Sequence, residues 1–190
     1  EKRKEEIEVF DSSLQDVVGK LKEGNIVSVF NGASESGRRA LGNRSILVDP
    51  RSSTMKDTIN EKVKHRQWYR PFAPSILEED APDWFEDYQE SPYMQFVLKF
   101  KEDKLDLVPA VVHLDGTARL QTVTEESHPV FYEILKEFGE ISYTNVLLNT
   151  SFNIRGYPIL STIEDALYAL NNTELDYVVI EDYLFSKKVK

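Results

Sequence analysis

Two short segments, far apart in the chain, contain the side chains best suited to binding an anionic ligand. The first is Lys64–Phe72, in which one lysine and two arginines precede Pro71. The second is residues 149–156, Asn-Thr-Ser-Phe-Asn-Ile-Arg-Gly, in which small amide and hydroxyl side chains precede Gly156. Ammonium and guanidinium groups make charge-assisted hydrogen bonds to phosphate oxygens. If the two segments meet in space, they form one site for a phosphate-bearing ligand.

The spacing within each segment favours a shared ligand. Lys64 and Arg66 are two residues apart, as are Ser151 and Asn153, so in an extended backbone each pair points to one side. Gly156 permits backbone conformations that other residues avoid. Structural explanations remain open for both segments. Cations are favoured at the carboxyl end of a helix in any case, and an Asx or Ser turn that ends a strand explains the second segment equally well.

The distribution of charge points to a compact anion. The 190-residue chain has a formal net charge of −10 at pH 7, which disfavours binding along a nucleic acid. Between Arg38 and Arg70, however, nine cations and three anions give a net +6 and leave −16 for the remainder. A nucleotide or an acyl phosphate fits such a segment, although a solvated charged face has the same composition. The nine cations are Arg38, Arg39, Arg44, Arg51, Lys56, Lys62, Lys64, Arg66 and Arg70.

Several functional classes are excluded by what the sequence lacks. It contains no P-loop motif, no Gly-x-Gly-x-x-Gly and no Gly-x-Ser-x-Gly. The absence of cysteine excludes disulfides, thiol nucleophiles and thiolate zinc sites, and it is compatible with a reducing cytosol. No apolar run approaches the roughly 18 residues that span a bilayer. We therefore expect a soluble, cytoplasmic protein, and because the chain starts at Glu1 we expect a piece of a longer polypeptide.

Helix and strand patterns alternate along the chain, which predicts an α/β domain with a helix-covered sheet and some antiparallel pairs. Predicted helices follow caps at 11–13, at Ser52 or Ser53 and at the Ser161–Glu164 capping box, and others start at Glu78 and at Pro129, the last ending at Gly139. The second of these helices continues through Met55, Ile59 and Val63. Predicted strands are 26–30, 45–48, 72–77, 94–100, 108–113, 119–123, 146–148, 177–180 and 183–185, with a hairpin turn at Asp115-Gly116.

Several longer motifs, in this order, resemble the carboxyl-terminal domain of the antibiotic and nodulation-factor O-carbamoyltransferases. They are Ser34–Leu47, Asp49–Arg51, Met55–Asp57, Asn60, Lys62–Arg66, Arg70–Pro74, Thr117–Arg119, Gln121–Val123 and Asn149–Asn153. The resemblance divides the chain into a charged lead-in over residues 1–10 and a domain over residues 11–190. One departure is Arg38, where that family usually has proline.

The resemblance implies a fold. The carboxyl-terminal domain of that family is YrdC-like, so we expect a single α/β domain built on a twisted mixed β-sheet covered by helices. Lys64-x-Arg66 resembles the Lys-x-Arg signature of the wider YrdC-like group. Thr150-Ser151-x-Asn153-x-x-Gly156 resembles its Ser-x-Asn signature.

The resemblance also implies a reaction. The domain would bind carbamoyl phosphate and ATP with Mg²⁺, form carbamoyl adenylate and release pyrophosphate. An amino-terminal ASKHA-type domain, not contained in these residues, would pass the carbamoyl group to an acceptor hydroxyl. The implied catalytic residues are Lys64, Arg66 and Ser151, with no protein-bound metal. The implied ligands of ATP and carbamoyl phosphate are Arg39, Arg44, Arg70, Arg119, Asn149, Thr150 and Asn153.

Two other hypotheses are compatible with the same residues. The domain could bind a nucleotide or carbamoyl phosphate without catalysing a reaction. It could also bind double-stranded RNA, as the wider fold sometimes suggests, but the charge of −16 outside the basic segment disfavours that function.

Overall fold

The computed structural model describes residues 7–154 and 156–188, and helices alternate with strands through this part of the chain. The strands are β1 (Ile7–Asp11), β2 (Val27–Phe30), β3 (Arg44–Val48), β4 (Ala73–Leu77), β5 (Val97–Lys99), β6 (Thr117–Arg119), β7 (Gln121–Val123), β8 (Val146–Ser151), β9 (Tyr177–Ile180) and β10 (Tyr183–Lys187). The α-helices are α1 (Leu14–Lys22), α2 (Met55–Ile59), α3 (Ala81–Trp84), α4 (Pro129–Ser142) and α5 (Ile163–Asn172). A π-helical segment, Asn60–Lys64, continues α2, and 3-10 turns cover Glu102–Leu107 and Pro109–Val111.

Eight of these strands form one mixed sheet in the order β1-β10-β9-β2-β3-β8-β4-β7. β2 runs parallel to β9 and β4 runs parallel to β7, whereas the other neighbours in this sheet are antiparallel. β5 and β6 form a separate antiparallel ladder. Because β8 lies between β3 and β4, the segment 149–156 begins in the middle of the sheet and leaves it after Ser151.

Apolar side chains cover both faces of the sheet, as the alternation of strand residues requires. On one face, Leu147 packs with Leu21 of α1 and Phe138 of α4. On the other face, Leu148 packs with Ile59 of α2 and residues of α5. Fully burying one such side chain contributes about 1.5–3 kcal/mol. The predicted helix-covered mixed sheet is therefore confirmed.

The predicted hairpin around Asp115-Gly116 is wrong in its partners. The turn exists, with Gly116 at φ +78°, but residues 109–111 form a 3-10 turn instead of a strand. Pro109 fixes its own φ and lacks the N–H that a ladder needs. The predicted strand 119–123 is also divided. Leu120 lies between β6 and β7 and donates its N–H to the Phe96 carbonyl. The strand predicted over 94–100 shortens to β5, since Met94 has φ +55°.

Several predicted helix ends shift. Gly139 lies inside α4, which ends three residues later with Tyr143 in the left-handed region. A Cβ at Gly139 would approach Asn145 Oδ1 to 2.4 Å, so this glycine is explained by close packing. The cap of α5 is Thr162, whose hydroxyl accepts from the Asp165 N–H, one residue after the predicted box.

The first turn of α2 and the chain start also differ from expectation. α2 follows Thr54, which makes no side-chain cap, rather than a cap at Ser52 or Ser53. The predicted acidic helix from Glu78 is confined to α3. Residues 7–10 of the predicted lead-in belong to β1, which pairs with β10 and was not predicted. Within the part of the chain that the structure describes, no helix has both the length and the apolar character to cross a bilayer.

Candidate functional site

A cavity of about 540 Å³ opens where β8 ends, and its lining is rich in arginine. Five arginines line it: Arg38, Arg39, Arg66, Arg70 and Arg119. The last three residues of β8, 149–151, supply its polar wall, and no carboxylate belongs to the lining. The volume lies in the range of about 300–1,000 Å³ that is usual for small-molecule sites.

Seven of the ten predicted site residues line this cavity. They are Arg39, Arg66, Arg70, Arg119, Asn149, Thr150 and Ser151. Lys64 and Asn153 do not line it but contact Ser151. The tenth, Arg44, lies elsewhere. The roles assigned to these residues remain predictions, whereas their placement is a property of the fold.

Lys64 joins the two segments directly. Its Nζ donates to the Ser151 carbonyl at 2.8 Å, to Asn153 Oδ1 at 2.7 Å and to Ser151 Oγ at 3.3 Å. Ser151 Oγ in turn donates to Asn153 Oδ1 at 2.7 Å. Three acceptors match the three protons of an ammonium group. The meeting of the two segments, on which the anion-site hypothesis depends, is present in the structure.

The backbone achieves this meeting in a different way from the predicted extended strand. Lys64 ends the π-helical segment, and His65 has φ +45° and donates its N–H to the Asn60 carbonyl. The alternation argument for Lys64 and Arg66 is therefore wrong, because a left-handed residue separates them. Arg66 is held instead by Asn60 Oδ1 at 3.2 Å and by the ring of Phe72, 4.1 Å from its guanidinium carbon.

Uncompensated positive charge characterises the site. Burial, together with the charges of Arg66 and Arg70, lowers the pKa of Lys64 to about 7. Burial, Arg70 and Arg119 lower the pKa of Arg66 to about 10. Burial lowers the pKa of Arg119 as well, and its Nε has no hydrogen-bond partner among the described residues. An anion in the cavity would stabilise the charged form of each group.

Asn149 belongs to a buried polar network that sequence reasoning found only in part. Its Nδ2 donates to Gln121 Oε1 at 2.8 Å, to Ser75 Oγ at 3.1 Å and to the Ala40 carbonyl at 3.2 Å. Gln121 Nε2 donates to the Leu41 carbonyl at 2.7 Å. Asn149 Oδ1 has no partner in the described chain. Polar residues inside otherwise apolar strands, such as Ser75 and Gln121, were the available signal for this network.

Arg44 has a structural position. Its guanidinium donates to the carbonyls of Asn31, Gly32 and Asn43 at 2.7–3.0 Å and lies 3.6 Å from the ring centroid of Phe30. The side chain is buried and does not line the cavity. It fastens the loop 31–43, which carries Arg38 and Arg39. Arg44 was predicted to contact a ligand, but its guanidinium contacts backbone carbonyls outside the cavity lining.

The same loop is fastened from its other side by Glu35, which was not predicted. Glu35 Oε1 accepts the N–H groups of Leu41 and Asn43, each at 2.8 Å. The positive charge of segment 38–70 therefore has two explanations, a ligand-binding cavity and structural contacts. Some of its cations line the cavity, whereas others are structural, such as Arg51, which pairs with Asp49.

An Arg44→Met variant should be destabilised by about 2–4 kcal/mol, because the Asn31 and Gly32 carbonyls lose their donor, whereas the Asn43 carbonyl keeps the Asn31 N–H. Denaturant unfolding monitored by circular dichroism measures this loss. Arg39→Met is the matched control, since Arg39 is exposed in the same loop, and its stability should change by less than about 0.5 kcal/mol. Equal stability of the two variants would contradict the structural position of Arg44.

The remaining candidates contribute little to the cavity. Gly156 has φ +85°, a conformation that other residues avoid, whereas Arg155 lies outside the described residues. His113 is bonded to Thr117 Oγ1 at 3.1 Å and, like the other histidines, does not line the cavity. In residues 7–154 and 156–188, no three histidine, aspartate or glutamate side chains are grouped so that they could hold a metal ion.

Known proteins resemble this chain over most of its length. A family model described as "Carbamoyltransferase C-terminus" matches residues 18–187. "Nodulation protein NolNO" of Sinorhizobium fredii (strain NBRC 101917 / NGR234) is 45% identical over 186 residues, which cover 96% of this chain and 27% of the relative. The chain spans only about a quarter to a third of the length of the curated relatives that it matches.

Two groups of solved structures share the fold at low sequence identity. T. kodakarensis HypF superposes with a TM-score of 0.63 at 16% identity, covering 92% of this chain and 22% of that one. P. abyssi Sua5 complexed with L-threonine superposes with a TM-score of 0.63 at 14% identity, covering 92% and 47%. At these identities the likeness concerns the fold alone, and it confirms the expected YrdC-like architecture.

Proposed function

Because the chain belongs to the family of carbamoyltransferase C-terminal domains, we propose that its arginine cavity binds ATP and carbamoyl phosphate and forms carbamoyl adenylate. The observation that carries this proposal is the cavity lining, in which five arginines meet the polar end of β8 without any carboxylate. Two phosphate-bearing ligands bring several negative charges together. Fixed cations at that place offset their mutual repulsion and favour the departing pyrophosphate.

The proposed reaction has a defined balance. Carbamoyl phosphate, ATP and one water give carbamoyl adenylate, pyrophosphate and inorganic phosphate. The bond between the α-phosphorus and the pyrophosphate oxygen breaks, and a bond from the α-phosphorus to a carbamoyl oxygen forms. The bond between the carbamoyl oxygen and the phosphorus of carbamoyl phosphate also breaks, and that phosphoryl group is transferred to the oxygen of water. One pyrophosphate and one inorganic phosphate therefore accompany each carbamoyl adenylate.

The side chains divide this work by position. Arg66 and Arg119 lie beside the polar wall and would neutralise phosphate oxygens. Ser151 and Asn149 would orient the carbamoyl group by hydrogen bonds, and Lys64 would hold the Ser151 turn in place. Correct placement of two reactants can lower a barrier by several kcal/mol without acid-base chemistry.

Mg²⁺ would enter this site with the nucleotide. The lining contains no carboxylate that could hold the ion, whereas the phosphates of ATP can. When bound, Mg²⁺ supplies further positive charge to the phosphate oxygens. The arginines would hold the rest of the polyphosphate.

The carbamoyl group would then move to an acceptor hydroxyl through an amino-terminal ASKHA-type domain of a longer polypeptide. This step rests on the family and on the greater length of the relatives. A protein that consumes ATP and carbamoyl phosphate would act in the cytoplasm.

Pyrophosphate release tests the proposal. The chain mixed with ATP, Mg²⁺ and carbamoyl phosphate should release pyrophosphate and inorganic phosphate in equal amounts, and omission of either substrate should abolish pyrophosphate release. Ser151→Ala should lower the rate by about tenfold or more, because one oriented hydroxyl of the cavity wall is lost, with little change in melting temperature. Ser161→Ala, an exposed serine just before α5, is the control.

Other outcomes separate the alternatives. Binding of both ligands with no pyrophosphate would indicate a non-catalytic binding module. Tight binding of double-stranded RNA that weakens steeply with salt, without nucleotide binding, would indicate the RNA-binding function. A Ser151→Ala variant that unfolds would assign this residue to the turn alone.

A further inference from the structure

The arginine cavity has a buried floor and an exposed rim. On the floor, Arg66 and Arg119 are half-buried and Asn149 is buried. On the rim, Arg38 and Arg70 are exposed, as is Arg39. A ligand that contacts the floor and the rim together must extend from the buried cations to the exposed ones. The exposure of the cationic side chains therefore increases from the floor of the cavity to its rim.

Arg38 is a rim cation to which neither the sequence nor the proposed function assigned a ligand. The loop that carries it is fastened before it by Glu35 and after it by Arg44. Within the described part of the chain, its own guanidinium has no hydrogen bond and no ion pair. The two ends of the loop are thus fixed while the donors of Arg38 stay available, which lowers the entropy cost of binding an anion.

Charge balance gives Arg38 a specific use. The cavity lining contains five arginines and no carboxylate. The arginines also repel one another, as Arg119 shows, because burial and the charges of Arg39 and Arg70 lower its pKa. A nucleoside triphosphate brings more negative charge than a diphosphate or a monophosphate. If the nucleotide lies with its polyphosphate towards the rim, each phosphate removed from its end leaves more positive charge on the rim arginines unbalanced. A shorter nucleotide would then lose affinity mainly at the rim.

We propose, on the basis of the proposed function, that Arg38 binds the terminal phosphate of the nucleotide and thereby selects a triphosphate over shorter nucleotides. A guanidinium can contact two non-bridging oxygens of one phosphate at once. Arg38 acts here as a specificity-determining residue and takes no part in bond making. Its removal changes which nucleotide is preferred more than it changes the binding of the nucleoside and α-phosphate.

Nucleotide affinities across a phosphate series test this inference. Calorimetry gives the Kd values of ATP, ADP and AMP, each with Mg²⁺, for the unmodified chain and for Arg38→Ala, Arg38→Lys and Lys136→Ala. Arg38→Ala should weaken ATP binding by about tenfold, as expected for one charge-assisted contact at a partly exposed position. ADP binding should weaken by less than about threefold and AMP binding should not change, because both lack the γ-phosphate, which is the terminal phosphate of ATP.

The control variants make the result specific. Arg38→Lys should recover part of the ATP affinity, since it keeps the charge but loses the two-point contact. Lys136→Ala removes an exposed cation of α4 that does not line the cavity, and it should leave all three affinities unchanged.

Two failures are distinguishable. If the unmodified chain binds no ATP, the proposed function fails and this inference fails with it. If the unmodified chain prefers ATP and Arg38→Ala keeps that preference, or loses affinity equally for the three nucleotides, the role of Arg38 is overturned while the proposed function stands.

Discussion

A Lys64→Met variant should bind carbamoyl phosphate and ATP about 10- to 100-fold more weakly, a loss of about 1.5–3 kcal/mol, because the variant lacks a positive charge beside the cavity. Methionine preserves most of the buried side-chain volume and removes the charge. It also removes the hydrogen-bond donor that Ser151 Oγ and Asn153 Oδ1 share. Ligand affinity and pyrophosphate release should therefore fall together.

Stability should not follow affinity in this variant. Lys64 is a buried cation that makes no ion pair within the described residues, so its removal relieves a desolvation cost. We expect a melting temperature that is unchanged or raised. Calorimetric binding and thermal unfolding measure the two quantities separately.

Lys62→Met provides the matched control for this experiment. The change is the same and lies in the same π-helical segment, but Lys62 lines a different cavity, together with Asn25 and Glu174, whereas Lys64 contacts Ser151 beside the arginine cavity. Its ligand affinities should match those of the unmodified chain. Unchanged affinity in Lys64→Met, or equal losses in both variants, would remove Lys64 from the site.

Ligand affinity should also fall as the pH rises above 7. The pKa of Lys64 is lowered to about 7, so the free protein loses this proton near neutrality, whereas an anion favours the protonated amine. Binding should therefore take up as much as one proton between about pH 7 and 9, and Kd should rise by up to about tenfold per pH unit. Calorimetry in buffers of different ionisation enthalpy measures the proton uptake.

The stability of the free protein should respond in the opposite direction. Because the folded-state pKa of Lys64 lies below the value of 10.5 in the unfolded chain, the unfolded state binds more protons between these two values. The contribution of this residue to stability therefore improves as pH rises from about 7 towards 10.5. Lys64→Arg keeps its charge throughout this range and should flatten the pH dependence of binding. An unmodified protein whose Kd is constant from pH 7 to 9 would contradict the assignment.

The sequence predicts most strands of this fold because the apolar patterns are strong and local. Ile26–Phe30 and Val146–Leu148, for example, are short apolar runs bounded by polar residues, and both lie in the central sheet. The hairpin at Asp115-Gly116 fails because a turn motif fixes only the turn, while pairing depends on residues distant in sequence. The close packing at Gly139 depends on the turn that brings Asn145 back onto α4, and His65 is left-handed where the π-helical segment ends.

The site was predictable in composition but not in geometry. The two segments contain the residue types that line the cavity, and motif resemblance added Arg39 and Arg119. Charge alone could not separate Arg44, which is buried against backbone carbonyls, from Arg38, which lines the cavity. Residue type states what a side chain can bind, whereas burial and direction depend on the completed sheet.

The late position of β8 in the chain has a consequence for folding. This strand joins β3 to β4, and even β4, the later of the two, ends at Leu77, far before β8 begins at Val146. Until it inserts, two strand edges stay open and the cations of the first half have no polar wall to face. Pairings this distant in sequence slow folding. A chain that stops before Val146 should therefore bind no ligand, and it would expose the unpaired edges that invite association between copies.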